Sequence, residues 1–417
     1  MQRIIRRDGQ AGKSSSNGSE VSLSQPLRAT IAALCANLVG IGLARFGYTP
    51  LIPALIAAGW FRPSDAVYLG AANLAGYLAG ALGAQRLSVL TGARATLRGA
   101  MLLTAISLAA CAFPLGFGWY FVWRFISGCT GGVLMAQAAP TVMPAIPPER
   151  RGVVGGVIFT GVGLGIAASG TLVPALMQWG LVETWLGLGA TAAVLTVVAW
   201  NGWPEAQPLR RASTEPQPRR RSSRLLLALY VEYALDAVGL VPHMVFLVDF
   251  IARGLDRGLG VGAQYWIVFG AGALVGPVIG GYLGDRVGFR TALRLAFLLP
   301  ALCVALPLVS VSVPALAISS FVLGAAVPGT VAIANGRTRE LVPDDPAGQG
   351  AAWGLCTTSF AMGQALAGYG FSWVFAHSDH SYPILFASAA AALLLALAID
   401  IGVGRSTARA ANGGSAA

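Results

Sequence analysis

The chain has 417 residues, of which 55% are hydrophobic and 11% charged, and its mean hydropathy is +0.67. So little charge excludes a water-soluble globular protein, which would lack the polar surface to stay dissolved. The net charge of +11 raises nucleic acid as a partner, but the basic residues are spread loop by loop, which excludes a single nucleic-acid-binding face.

Residues 1 to 25 are polar, Ser/Gly-rich and charged, and read as a disordered tail without a cleavable signal. Twelve apolar stretches follow, each long enough to cross a hydrocarbon core of ~30 Å at 1.5 Å per residue. The predicted helices are 28 to 57, 66 to 86, 95 to 114, 117 to 141, 152 to 178 and 182 to 202, then 225 to 252, 262 to 284, 291 to 309, 314 to 336, 348 to 377 and 383 to 403. The Pro/Arg/Ser-rich segment 203 to 224 separates six spans from six. The domain reading is therefore a bundle over 26 to 202, a cytoplasmic linker over 203 to 224, a second bundle over 225 to 404 and a disordered tail over 405 to 417. The 54 glycines suit close helix packing in lipid.

Lys13 is the only lysine, and the arginines obey the positive-inside rule. With the N-terminus inside, one side holds Arg3, Arg6, Arg7, Lys13 and Arg28, then Arg86, Arg94, Arg98, Arg150, Arg151 and the linker arginines. It continues with Arg286, Arg290, Arg294, Arg337, Arg339, Arg405 and Arg409, against Arg62, Arg253 and Arg257 on the other side. The expectation is a multi-pass protein of a bacterial inner membrane with both termini cytoplasmic. Cys35, Cys111, Cys129, Cys303 and Cys356 lie inside apolar spans without metal-type spacing, so neither disulfides nor a metal is expected.

The halves repeat internally. A shift of 200 places Gly76, Gly80, Arg86 and Arg94 on Gly276, Gly280, Arg286 and Arg294, and a shift of 196 places Phe125, Gly128, Pro147 and Gly152 on Phe321, Gly324, Pro343 and Gly348. Between the eighth and ninth spans stand Gly281, Asp285, Arg286, Gly288 and Arg290. With the six-plus-six pattern, this segment resembles the cytoplasmic loop signature of the major facilitator superfamily, over roughly residues 26 to 405. The resemblance implies two pseudo-symmetric six-helix bundles and a gating latch made by Asp285, Arg286, Gly288 and Arg290. A carboxylate at a helix N-terminus suits that role. The first copy departs, with Gln85 before Arg86.

In the fourth span, Arg124 followed by Gly128, Gly131 and Gly132 is similar to the superfamily's fourth-helix motif. The fifth-span exporter motif is poorly kept, with Thr171 where proline is expected and Pro174 later. At the end of the first span, Gly42, Arg45, Tyr48, Pro50 and Pro53 resemble the uncharacterised YbfB-like branch, which implies no substrate.

Intramembrane charge is expensive and marks candidate sites. Arg45 lies near the midplane and Arg124 about 10 Å deep from the opposite side. On the seventh span Glu232, Asp236 and His243 fall within about 40° of one another at 100° per residue. Burial disfavours ionising both acids, which suits a proton carrier. The resemblance implies that the first, fourth, seventh and tenth spans line a central cavity, and the charges fall on three of them, so Arg45, Tyr48, Arg124, Glu232, Asp236 and His243 are the candidate substrate or proton-coupling residues. No phosphate-binding glycine loop, zinc-protease motif or compact acid/base/nucleophile group is present, so an enzyme is not expected, and no cofactor is implied.

The resulting expectation is a monomeric secondary transporter moving a small organic solute, an anion or a zwitterion, by alternating access coupled to protons. Its partners would be that small molecule, the proton and the bilayer. Efflux of amphipathic compounds and a non-transporting receptor stay open as alternatives.

Overall fold

The computed structural model describes residues 17–147, 151–204, 224–343 and 346–413. Most of the first tail, nearly all of the linker over 203 to 224 and the last four residues of the second tail lie outside the described residues. Among the described residues the chain is all-helical: α1 (Asn17–Asn37), α2 (Ile52–Ala57), α3 (Pro63–Thr91), α4 (Ala93–Ala110), α5 (Phe117–Val142), α6 (Arg151–Met177), α7 (Leu181–Ala199), α8 (Arg224–Asp249), α9 (Gly258–Val287), α10 (Phe289–Val309), α11 (Val313–Leu341), α12 (Pro346–His377) and α13 (Tyr382–Gly413). Among the described residues nine spans are long and apolar enough to cross a membrane, the first being Gln25–Ala57; α4, α5 and α12 are not among them. α1 starts before, and α13 runs beyond, the apolar layer read from sequence. A helix keeps its internal hydrogen bonds after its side chains turn polar, so the two differ.

The first span is not the single helix predicted over 28 to 57. α1 loosens into a π-helical turn (Leu38–Leu43), where the Ala44 N–H donates to the Val39 carbonyl at 3.1 Å, and then tightens into a 3-10 stretch (Phe46–Leu51) before α2. The local sequence explains this. Pro50 and Pro53 bring no N–H to the ladder, while Gly40 and Gly42 pack against Leu134 and Gly165, where a Cβ would collide.

α3 packs on α5 and α9 on α11 through small residues with almost no side chain between the backbones. Gly76, Gly80 and Gly128 face the carbonyls of Phe125, Cys129 and Asn73; Gly272, Gly276 and Gly324 face those of Phe321, Ala325 and Phe269. Every residue of the second set is the first plus 196. The helix ends agree, α3 stopping at Gly92 (φ 82°) and α9 at Gly288 (φ 81°), a left-handed region open to glycine. The shift of 200 read for these helices is thus one turn too long. Val89 and Leu90, rather than Gln85 and Arg86, stand where Asp285 and Arg286 stand in the second copy.

The chain before residue 205 meets the chain after residue 223 mainly along α6 against α9 and α3 against α12. Gly163 sits on Ala273 and Leu274, Gly270 on Ala167, and the Trp266 indole donates to Ser169 Oγ at 2.9 Å. Gly368 sits on Leu74 and Ala71, with the Tyr68 and Tyr369 rings 6.4 Å apart. These ties run from mid-depth towards the end away from the chain termini.

Candidate functional site

The break in the first span builds the site. Because the Tyr48 N–H turns back to the Arg45 carbonyl, the Ala44 carbonyl loses its usual helical donor. Arg124 of α5 supplies the replacement, its Nη1 donating to Ala44 O at 2.6 Å, with its guanidinium carbon 4.2 Å from the Tyr48 ring centre. The Tyr48 hydroxyl donates to Ala66 O at 2.7 Å, locking that ring. Asn73 Nδ2 donates to Ser127 Oγ at 2.9 Å and to Arg124 O at 3.3 Å, holding α5 beside α3. Arg124 is only 2% exposed; its Nη1 is spent on this scaffold, while its Nε has no hydrogen-bond partner.

Arg45 is less committed. Its guanidinium carbon lies 5.3 Å from the Phe46 ring centre and 5.4 Å from that of Tyr77, and Nη2 has no hydrogen-bond partner. Among the described residues no carboxylate pairs with Arg45 or Arg124. Arg45 opens onto a cavity of about 50 Å³ between the two halves of the chain. The walls are mostly apolar, from Phe46, Phe159, Val162, Met244, Val327 and Phe360, and polar character comes from Arg45, Tyr77 and Gln364. A second space of about 10 Å³ reaches from Arg45 to Tyr48, Asn73 and Arg124. Thr49 closes its far side by donating to Met244 O at 2.6 Å, joining the first span to α8.

The acidic stripe of α8 lies elsewhere. Asp236 is fully buried and neither carboxylate oxygen has a hydrogen-bond partner; its ionisable neighbours include Tyr233 and Cys356. No hydrogen bond or ion pair joins it to Arg45 or Arg124. Glu232 is buried within reach of Arg290, Arg294, Arg337 and Asp400. His243 Nε2 is 2.7 Å from Ser319 Oγ, and that hydroxyl donates to Cys303 O at 2.6 Å. Since the hydroxyl has one hydrogen, the histidine donates from Nε2 and leaves Nδ1 as an unpartnered acceptor. All three side chains turn into the packing of α8 against its own half, while Met244, on a different face of α8, lines the cavity.

In the last turn of α9, Asp285 and Arg286 are exposed and Arg286 lies over the Tyr282 ring, 5.1 Å from its centre. The N-terminus of α10 is instead met by Glu340, whose Oε1 accepts from Phe289 N at 3.2 Å and whose Oε2 accepts from Arg337 at 2.7 Å. Arg290 and Arg294 converge on Asp400 of α13, with Arg290 Nε at 3.5 Å. Gly288 terminates α9.

Sequence reasoning did not single out Tyr77, Gln364, Asn73, Asp400 or Glu340, nor Asp249, which is buried and accepts from Arg253 at 3.1 Å and from the Tyr382 hydroxyl at 2.6 Å. A lone amide within an apolar span was the one available signal for Gln364. No curated protein matches the chain. The family model described as "Uncharacterised MFS-type transporter YbfB" matches residues 37–401, which takes in the interruption of the first span, both arginines, α8 and the end of α9. The chain therefore belongs to this family of MFS-type membrane transporters.

Proposed function

We propose that the protein is a secondary active transporter of a small organic anion, working by alternating access between two six-helix bundles, twelve spans in all, in a bacterial inner membrane with both termini cytoplasmic. The carrying observation is Arg45: a cation near mid-membrane, with a free nitrogen, facing a cavity between the chain halves and lacking an acidic partner among the described residues. A cation inside the apolar layer without a counter-charge is expensive, and a bound anion removes that cost. The zwitterionic alternative is less favoured, because no carboxylate lines the cavity to meet an ammonium group. The helix ties away from the termini support reading this state as closed on that side. Asp285, Arg286, Gly288 and Arg290 are proposed to latch the opposite state, the one closed on the terminal side.

Asp236 is proposed as the proton carrier. Both its oxygens are unpartnered in an apolar interior, where a carboxylate is costly and a neutral acid much less so. It lies apart from Arg45, so protonation would act on substrate binding through the packing of α8, whose Met244 touches both cavity and first span. The test is vesicle uptake with and without a pH step. Asp236→Asn should abolish pH-driven accumulation and keep exchange at equal pH; full accumulation in that variant would pass the role to Glu232, and the same result in Glu232→Gln would rule out coupling through α8.

A further inference from the structure

The cavity beside Arg45 carries a second unsatisfied group, on the opposite wall. Gln364 of α12 is 1% exposed and lines the same space; its Nε2 reaches only the Met244 sulfur at 3.8 Å, and its Oε1 has no partner. A buried amide oxygen left unpaired is destabilising, so this wall calls for a donor. The facing wall offers the cationic donors of Arg45. The space between, about 50 Å³, holds a few waters at roughly 10–15 Å³ each, and its remaining surface is largely aromatic and aliphatic.

We propose that the site binds a short 2-hydroxy monocarboxylate, its carboxylate on Arg45, its hydroxyl donating to Gln364 Oε1 and its carbon chain against Phe46, Phe159 and Phe360. The inference rests on the transporter reading above and adds a substrate class to it. A neutral hydroxyl satisfies the amide oxygen without bringing in a second charge. An ammonium at the same place would find no carboxylate among the cavity-lining residues, and a charged group in a low-dielectric site needs one. Arg45 belongs to the first span and Gln364 to α12, so the ligand would bridge the two halves of the chain and favour their closing around it.

The test is thermal stability of the purified full-length protein with four probes at equal concentration: 2-hydroxypropanoate, propanoate, 2-hydroxypropanamide and 2-aminopropanoate. The expected result is a rise in melting temperature with 2-hydroxypropanoate, affinity about tenfold lower for propanoate, as one lost hydrogen bond predicts, and no shift with the amide. Arg45→Gln should lose every shift. Gln364→Leu should bind 2-hydroxypropanoate and propanoate equally, and Gln364→Glu should repel both and turn to 2-aminopropanoate. Melting without ligand shows whether each variant is folded, and if one is not, the wild-type probe order alone decides. An amide shift equal to that of the acid, no shift with any acid, or 2-aminopropanoate as the best wild-type ligand would overturn the proposal. Vesicle flux separates the two levels: transport of a neutral solute with no acid bound removes this inference and leaves a transporter, whereas acid binding without flux of any solute removes the transport reading and leaves the site.

Discussion

Arg45 and Arg124 are both arginines inside the apolar layer, yet their surroundings give them different work. Arg124 replaces the donor that the break took from Ala44 and stacks on Tyr48; Arg45 keeps a free nitrogen towards the cavity. Tyr48, a candidate site residue by sequence, has its hydroxyl spent on Ala66. Tyr48→Phe should therefore cost about 1 kcal/mol of stability with ligand affinity nearly unchanged, while Tyr48→Leu, which also removes the ring under Arg124, should cost about 2 kcal/mol more and weaken binding. Melting temperature and ligand titration measured on both variants check this; a large affinity loss in Tyr48→Phe at unchanged stability would place the hydroxyl on the substrate instead. The charges were legible from sequence because polar groups stand out against apolar spans. Their partners were not. Helical periodicity says that Glu232, Asp236 and His243 share a face, but not which neighbour that face meets, and here it meets the helices of its own half, with Ser319 on His243 and Cys356 near Asp236.

Among the elements, the paired glycine crossings fix the register. α3 on α5 and α9 on α11 use backbone contacts displaced by 196 residues, whereas the sequence match for α3 and α9 suggested 200. A slip of four residues turns a helix by only about 40°, so the wrong register keeps glycine opposite glycine and arginine opposite arginine. Only the contacts separate the two. They also sort glycines that look alike in sequence: a Cβ on Gly80 would overlap the carbonyl of Cys129, and one on Gly83 meets nothing within 4 Å. Gly80→Ala should force α3 and α5 apart and sharply lower the yield of folded protein. Gly83→Ala should be neutral or stabilise by up to about 1 kcal/mol, as alanine is the better helix former. Size-exclusion profiles and melting curves report both, and equal behaviour of the two variants would refute the crossing. The broken first span was less legible, since Gly and Pro are tolerated inside membrane helices when neighbours restore the hydrogen bonds, and the restoring group, Arg124, lies 80 residues away.

For the whole molecule, membrane insertion and the all-helical class follow from composition and span length, and the family match over 37–401 agrees. Orientation is a separate proposition carried by loop arginines. Reporter fusions at Gln207 and Ala417 should be active on the cytoplasmic side; protease cutting of the linker from outside intact cells would reverse the topology.

Alternating access around Arg45 is tested most directly by counterflow, in vesicles loaded with unlabelled 2-hydroxypropanoate at equal pH on both sides and given a trace of labelled 2-hydroxypropanoate outside. The account predicts a transient accumulation of label in wild-type vesicles, retained in Asp236→Asn and lost in Arg45→Gln. Stable binding of 2-hydroxypropanoate without any counterflow, or counterflow that persists undiminished in a folded Arg45→Gln protein, would contradict it.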